Sequence, residues 1–236
     1  MKKTAYIIVH GFCGTPKDVM NIKKYLIKKG ISSKEIFTPC LKGHGIKGKC
    51  KKGTTHQDII EGLKEYINRK CKIYTKRILI GYSMGGLISL MVTKEAKISD
   101  LILLNAPMRV WTFRGFVWTI LKRNFNQKIH HVRIILSTFT YSKIMTSIEL
   151  RKLQRYVREN LKKVTANTYI VQSKKDYVAR PSSAKEIFNK IMAKRKEIMW
   201  IDNATHFLPD EDCIEEVIDK SLEWVNNSIK KDKLVV

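Results

Sequence analysis

Short apolar runs alternate with longer amphipathic stretches along most of this 236-residue chain. The apolar runs have the length and composition of buried β-strands, and they cover residues 5–9, 36–38, 77–81, 101–105, 168–172 and 197–201. Apolar residues recur at helical spacing between them, which predicts helices over residues 16–29, 57–68, 85–94 and 213–229, and one that begins at Pro181. Strands that alternate with helices predict βαβ units, so we expect an α/β fold with a mainly parallel sheet flanked by helices.

One long stretch, residues 107–164, interrupts this alternation. It is helical in pattern and contains no recognisable βαβ unit. We therefore predict a core made of residues 1–106 and 165–236, into which residues 107–164 are inserted as a small helical cap. A loop rich in Gly and Lys, residues 41–55, comes earlier in the chain.

The composition is that of an ordinary soluble protein except for its charge. The formal net charge is +25, and the lysines are spread along the whole chain. A nucleic-acid-binding protein would concentrate them on one element and interleave aromatic residues, so we expect no nucleic-acid partner. Solvated lysine-rich surfaces explain the charge, and the alternative is a weak attraction to anionic membranes or acidic substrates. No apolar run approaches the ~18 residues of a transmembrane helix.

The five cysteines are odd in number, and none forms a C-x-x-C pair. This pattern favours reduced thiols and a cytoplasmic location over a disulfide framework or a metal site. The cysteines are Cys13, Cys40, Cys50, Cys71 and Cys213.

The strongest chemical signal lies where a predicted buried strand meets a predicted helix. Residues 81–85 read Gly-Tyr-Ser-Met-Gly, which is the pattern of a nucleophile elbow in this strand–turn–helix context. The elbow places Ser83 at the apex of a strained turn, while Gly81 and Gly85 avoid clashes between the strand and the helix. We therefore predict Ser83 as a nucleophile.

A serine hydroxyl needs a base, and the base needs an orienting acid. In the α/β-hydrolase fold the chain order is Ser, then Asp or Glu, then His. Asp176 and His206 follow in this order, each just beyond a predicted parallel strand, where sites in such sheets form. Asp202 and Asp210 are the alternatives for the acid. Asp202 would crowd the base from its own strand end, and Asp210 is expected to start the last helix.

The tetrahedral intermediate of acyl transfer carries an oxyanion that needs preorganised N–H donors. One donor in this fold belongs to the residue after the nucleophile, here Met84, and the other comes from a loop after an early strand. The segment His10-Gly11-Phe12 follows the first predicted strand. We therefore predict the backbone N–H groups of Phe12 and Met84 as the oxyanion hole, and no metal or cofactor is required.

Taken together, these residues resemble the compact bacterial carboxylesterases related to monoacylglycerol lipases. The resemblance also includes Gly14-Thr15-Pro16, Lys42-Gly43-His44-Gly45, Asn105-Ala106-Pro107-Met108 and residues 172–176. It implies an α/β-hydrolase fold with a small helical cap insertion, and hydrolysis of short- to medium-chain monoesters or monoacylglycerols through an acyl-enzyme on Ser83. The same position-by-position match assigns the triad to Ser83, Asp176 and His206.

Two departures from that family bear on the substrate and on one loop. Thr205 stands where the family usually has Gly before the histidine, and the start of the cap is unusually basic and aromatic. The residues concerned are Arg109, Trp111, Phe113, Arg114, Phe116, Trp118, Lys122 and Arg123. The alternatives to ester hydrolysis are other acyl-transfer chemistry, such as that of a thioesterase, an acyltransferase or a peptidase, and a silent binding module that uses the basic surface.

Overall fold

The computed structural model describes residues 3–45, 51, 53–110 and 141–232. Within these ranges six parallel strands form one sheet in the order β2-β1-β3-β4-β5-β6. The strands are β1 (Thr4–Val9), β2 (Ile36–Phe37), β3 (Lys76–Tyr82), β4 (Asp100–Leu104), β5 (Asn167–Ser173) and β6 (Lys196–Ile201). The central strands β3 and β4 are buried almost throughout, as expected for parallel strands covered on both faces.

Helices cover both faces of the sheet, and each face has its own hydrophobic core. The helices are α1 (Met20–Lys28), α2 (His56–Lys70), α3 (Met84–Val92), α4 (Tyr141–Asn160), α5 (Ser182–Lys190) and α6 (Ile214–Asp232). Buried residues of α2, α3, α4 and α5 join one core cluster, and those of α1 and α6 join the other. The predicted parallel sheet, with helices on both sides, is confirmed.

Polar side chains set where two of the early helical segments begin. Thr15 and Asp18 form a reciprocal capping box at the start of a 3₁₀ turn, and Thr55 and Asp58 do the same for α2. Each box satisfies backbone N–H groups that have no partner inside the helix. The predicted helix over residues 16–29 is divided, because the 3₁₀ turn Pro16–Val19 precedes α1.

The last helix begins within one residue of the predicted position 213, but the expectation that Asp210 opens it was wrong. Asp210 does not open it, because Asp210 ends the 3₁₀ turn Leu208–Asp210 and α6 begins at Ile214. A helix dipole favours acidic side chains at the start of a helix, and in α6 these are Glu215 and Glu216 of the first turn.

The C-terminal half of the predicted insertion packs directly on the core. Leu153 and Val157 of α4, followed by Leu161, are buried in the cluster that also contains α2 and α3. The aromatic and basic residues 111–123 lie outside the described residues, so the boundaries of the cap stay a prediction. No helix in the described ranges is long and apolar enough to span a membrane, and no disulfide joins the four cysteines that these ranges contain.

One buried carboxylate attaches the insertion to α5. Glu186 accepts hydrogen bonds from Arg109 Nε at 2.7 Å, Arg158 Nε at 2.8 Å and Lys190 Nζ at 3.1 Å. Burial by itself would raise the pKa of Glu186, but these three hydrogen bonds outweigh it and lower the pKa to about 2. Arg109 lies near the start of the insertion and Arg158 near its end, so both are held at the same point of the core.

Candidate active site

The site lies at the carboxyl edge of the sheet, where the strand order reverses. β1 pairs with β2 on one side and with β3 on the other, and the chain continues from β3 to β4 in the second direction. Ligands bind at such a switch point in open α/β sheets, because the loops after the two flanking strands, here β1 and β3, separate there. Ser83 follows β3, and the segment His10-Gly11-Phe12 follows β1.

Ser83 occupies the strained turn that its sequence context predicts. Its φ is +53° and its ψ is −126°, a backbone conformation that costs of order 1–3 kcal/mol for a non-glycine residue. The turn is held because Ser83 N donates to Leu104 O at 2.8 Å. A Cβ at Gly85 would lie 2.4 Å from His10 O, so only glycine lets α3 begin this close to β1.

Three predicted side chains form one continuous hydrogen-bonded row. Ser83 Oγ lies 2.9 Å from His206 Nε2, and His206 Nδ1 lies 2.8 Å from Asp176 Oδ2. A carboxylate oxygen can only accept, so the proton on the imidazole belongs on Nδ1 and Nε2 is left to accept from the Ser83 hydroxyl. All three residues are buried, between 3% and 6% exposed.

The surroundings of Asp176 explain why it, rather than its rivals, reaches the histidine. Its second oxygen, Oδ1, accepts from the backbone N–H groups of Val178 at 2.7 Å and Ala179 at 2.8 Å, which fixes the plane of the carboxylate. The Asp202 side chain is 71% exposed and pairs with Lys174. Asp210 is exposed and accepts from Asn21 at its Oδ1.

The loop expected to supply one oxyanion donor lies against Ser83. A Cβ built on Gly11 would be 3.1 Å from Ser83 Cβ, which is closer than side-chain atoms normally pack. Phe12 is the next residue along the chain after Gly11, which lies against Ser83. Met84 is the first residue of α3, at a helix end where backbone N–H groups point outward.

His10 was expected only as part of that loop, but its ring has a structural task. Leu41 N donates to His10 Nε2 at 3.1 Å, so Nε2 is an acceptor and Nδ1 carries the proton that it donates to Gly11 O at 3.0 Å. Burial lowers the pKa of His10 to about 4, partly opposed by the hydrogen bond to Gly11. A neutral imidazole thus connects the Gly11 loop to the loop after β2.

A cavity opens beside Met84, between α2, α4 and the loop before α2. Its apolar side consists of Ile59, Met84, Leu150 and Leu153. On its polar side, Glu149 Oε2 accepts from both His56 N at 3.1 Å and His56 Nδ1 at 3.0 Å. The cavity therefore presents both apolar and polar surface. One of its lining residues, Met84, follows Ser83 directly along the chain. Among the described residues, no group of three or more His, Cys, Asp or Glu could hold a metal ion.

Comparisons with known proteins agree with this architecture. The model of the alpha/beta hydrolase family matches residues 6–220. A carboxylesterase from Bacillus subtilis (strain 168) is 24% identical over 214 residues, which cover 86% of this chain and 85% of that protein. A thermostable monoacylglycerol lipase from Bacillus sp. (strain H-257) is 23% identical over 228 residues, covering 92% and 88%. A solved structure from work on two metagenome-derived lipolytic enzymes has a TM-score of 0.73 at 16% identity, covering 96% and 94%.

Proposed function

Because this chain belongs to the alpha/beta hydrolase family, we propose that it is a serine carboxylesterase that hydrolyses short- to medium-chain monoesters or monoacylglycerols. The observation that carries the proposal is the hydrogen-bonded row of Ser83, His206 and Asp176. The names of the two Bacillus relatives favour an ester as the substrate. No step of the reaction calls for a cofactor.

In the first half-reaction, His206 Nε2 takes the proton of Ser83 as its oxygen attacks the ester carbonyl carbon. Asp176 holds the imidazole in the correct tautomer and stabilises the positive charge that the ring acquires. His206 then protonates the oxygen of the leaving alcohol, the carbon–oxygen bond breaks, and the acyl group remains on Ser83.

In the second half-reaction, water replaces the alcohol. His206 accepts a proton from the water as it attacks the acyl-enzyme, and then returns a proton to Ser83 Oγ as the acid leaves. The oxyanion formed in each half is stabilised by the backbone N–H groups of Phe12 and Met84. Both donors are parts of the main chain, so they need no reorganisation during the reaction.

The rival acyl-transfer reactions differ from ester hydrolysis in the acyl donor, as in a thioesterase, or in the acyl acceptor, as in an acyltransferase. A thioesterase or an acyltransferase would use the same three side chains, whereas a silent binding module would have no need for all of them. The decisive test is a panel of p-nitrophenyl esters of increasing acyl length, run beside monoacylglycerols and acyl thioesters. Hydrolysis of the oxygen esters with kcat/KM well above that for thioesters supports the proposal. Turnover of thioesters alone, or product formed only with an added alcohol acceptor, would contradict it.

We also propose that this enzyme associates weakly with anionic lipid surfaces through one side of the fold. Residues 141–196 contain fifteen Lys or Arg and four acids, whereas residues 197–232 contain ten acids and three Lys. Lys28 at the end of α1 and Lys29 directly after it pair with Glu215 and Asp219 of α6, so lysines and acids offset each other on that side. The opposite side keeps a net positive charge.

This positively charged side, called the basic face below, follows the exposed surfaces of α4 and α5. Its exposed basic residues are Arg151, Lys152 and Arg155 on α4, Lys162 and Lys163 in the 3₁₀ turn that follows it, and Lys185 on α5. One exposed acid, Glu159, also lies on α4. Ile148 and Tyr156 are also exposed on α4, at 41% and 36%. A helix with basic and apolar residues on its outer surface favours an anionic lipid surface over a nucleic acid. The buried surface of the same helix lines the cavity beside Met84.

The expected cytoplasmic location stays a prediction.

A further inference from the structure

Asn105 holds an unusual backbone conformation at the centre of the site edge. It follows β4 directly, is completely buried, and has a φ of +49°. Its backbone N donates to Val171 O of β5 at 2.9 Å. Left-handed φ values are disfavoured for most residues, and asparagine is among the non-glycine residues that tolerate them best. The residue before it, Leu104, accepts the hydrogen bond from Ser83 N.

The Asn105 side chain bonds to both segments that carry the partners of Ser83. Its Oδ1 accepts from Ser173 N at 2.8 Å, and its Nδ2 lies 3.1 Å from Ser173 Oγ. The same Nδ2 donates to Thr205 O at 2.9 Å and lies 3.1 Å from His206 O. Ser173 O in turn accepts from Asp176 N at 3.2 Å. The buried Asn105 amide thus connects the segments of Asp176 and His206, and the neighbouring Leu104 carbonyl holds the segment of Ser83.

Glu211 holds the same loop from its other side. Its Oε1 accepts from Thr205 N at 3.0 Å and also from the Thr205 hydroxyl. Thr205 is therefore held at its carbonyl by Asn105 and at its N–H by Glu211. The loop between β6 and the 3₁₀ turn Leu208–Asp210 contains no regular backbone ladder. Side-chain hydrogen bonds must consequently fix the position of the His206 backbone.

We propose that Asn105 and Glu211, called the loop clamp, are positioning residues that fix the backbone of His206 relative to Ser83. The proposal rests on the proposed function, since it assigns the clamp to the base of that reaction. A general base works only within hydrogen-bond reach of its proton, and a displacement of about 1 Å can cost about 10²-fold in rate. Neither residue touches the substrate in this account, because both act through the Thr205–His206 backbone.

Asn105→Gly separates the side chain from the backbone conformation. Glycine adopts φ near +50° without strain, so the variant removes the amide and keeps the turn. We expect kcat to fall by about 10- to 100-fold while KM stays within about two-fold, because positioning and not binding is lost. The rate of Ser83 labelling by a fluorophosphonate should fall in the same proportion. Lys97→Gly is the matched control, since Lys97 has a φ of +50° and is exposed in the loop between α3 and β4.

Glu211 provides a second variant pair in case Asn105→Gly lowers stability. Glu211→Gln keeps an oxygen that can accept from Thr205 N, whereas Glu211→Ala removes it. We expect Gln to retain most of the wild-type kcat and Ala to lose it. Equal kcat in Ala and wild type, a folded Asn105→Gly variant with wild-type kcat, or a change confined to KM would each overturn the loop clamp.

A spectroscopic measurement keeps this test separate from the substrate question. The proton between His206 Nδ1 and Asp176 should give a low-field NMR signal that is absent from His206→Ala. We expect this signal to broaden or disappear in Asn105→Gly and to persist in Lys97→Gly. If wild type shows the signal but hydrolyses no ester, the proposed function fails while the clamp is still measured. If the signal in Asn105→Gly is unchanged, the clamp fails whatever the substrate is.

Discussion

His206 Nε2 lies 2.9 Å from Ser83 Oγ, although 123 positions separate the two residues along the chain. The contact exists because β3 and β6 are parallel strands of one sheet, so the segments that follow them emerge at the same edge. With Asp176 behind the ring, this geometry is that of a base ready to accept the serine proton.

Replacing the nucleophile should abolish hydrolysis without unfolding the protein. Ser83→Ala is expected to lose about 10⁴-fold or more in kcat for p-nitrophenyl esters, as in other triads. A fluorophosphonate should label wild type at Ser83, which peptide mass spectrometry can locate. Ser182→Ala, an exposed serine at the start of α5, is the control and should keep full activity and labelling. Labelling at another serine, or an active Ser83→Ala variant, would contradict the assignment.

The base and the acid should differ in how much they contribute. His206→Ala is expected to be about as damaging as Ser83→Ala, and Asp176→Asn to be severe but milder, because the parts of a triad act as a unit. Asp202→Asn is the matched control, because this exposed carboxylate contacts Lys174 and not the histidine. A larger loss in Asp202→Asn than in Asp176→Asn would show that the wrong acid was chosen.

Glu186 should make the stability of the fold depend on pH in strong acid. Its pKa in the folded protein is about 2, below the ordinary value of 4.5, so its contribution is present above about pH 4.5 and is lost as the pH falls toward 2. Glu186→Gln should lower the free energy of unfolding at pH 7 by about 1–3 kcal/mol. It should also flatten the change in stability between pH 4.5 and 2, which urea unfolding at several pH values would measure. An unchanged slope in this window would contradict the prediction.

The cavity beside Met84 should influence the preferred acyl length. The cavity has room for about one water-sized group, so it can bury only the end of an acyl chain, and each buried methylene contributes at most about 0.8 kcal/mol. We therefore expect kcat/KM to peak at the acyl length whose end reaches the cavity and to fall for longer chains. Leu150→Trp would fill part of this cavity and should move the optimum to shorter acyl chains. Ile148→Trp, on the exposed surface of the same helix, should leave the profile unchanged. A flat profile in wild type would mean that the cavity does not bind the acyl chain.

Lipid binding should depend on the basic face and not on the total charge. Wild type should bind phosphatidylglycerol vesicles and not phosphatidylcholine vesicles, and the binding should weaken as salt is added. Arg151→Gln with Arg155→Gln should weaken it by about 1 kcal/mol for each charge removed. Lys17→Gln with Lys24→Gln removes the same charge from exposed positions near α1 and should have little effect. Equal losses in both double variants, or retention on DNA in place of vesicles, would contradict the proposal.

Local patterns in the sequence were sufficient for the fold class and for the order of the site residues. Three features are local in the sequence: the apolar runs of strand length, the helical periodicity and the glycines around Ser83. Each could therefore be interpreted without knowing which distant segments pack against it. The order Ser83, Asp176, His206 is likewise a property of the chain, and the parallel sheet it implies brings three strand ends to one edge. The predicted elements therefore agree with those of the structure to within a few residues.

Only the tertiary structure decided which polar groups meet. Asp176 and Asp202 both follow parallel strands, and the difference between them is the burial of one and the exposure of the other. The tasks of His10, Asn105 and Glu186 were not visible in the sequence, because each residue bonds a distant partner. These partners are Leu41, Thr205 and Arg109, which lie 31, 100 and 77 positions away. A side-chain hydrogen bond between distant segments produces no repeating pattern in the sequence of either segment. The sequence alone thus determined the candidate site residues, and the packing of distant segments decided how they are held.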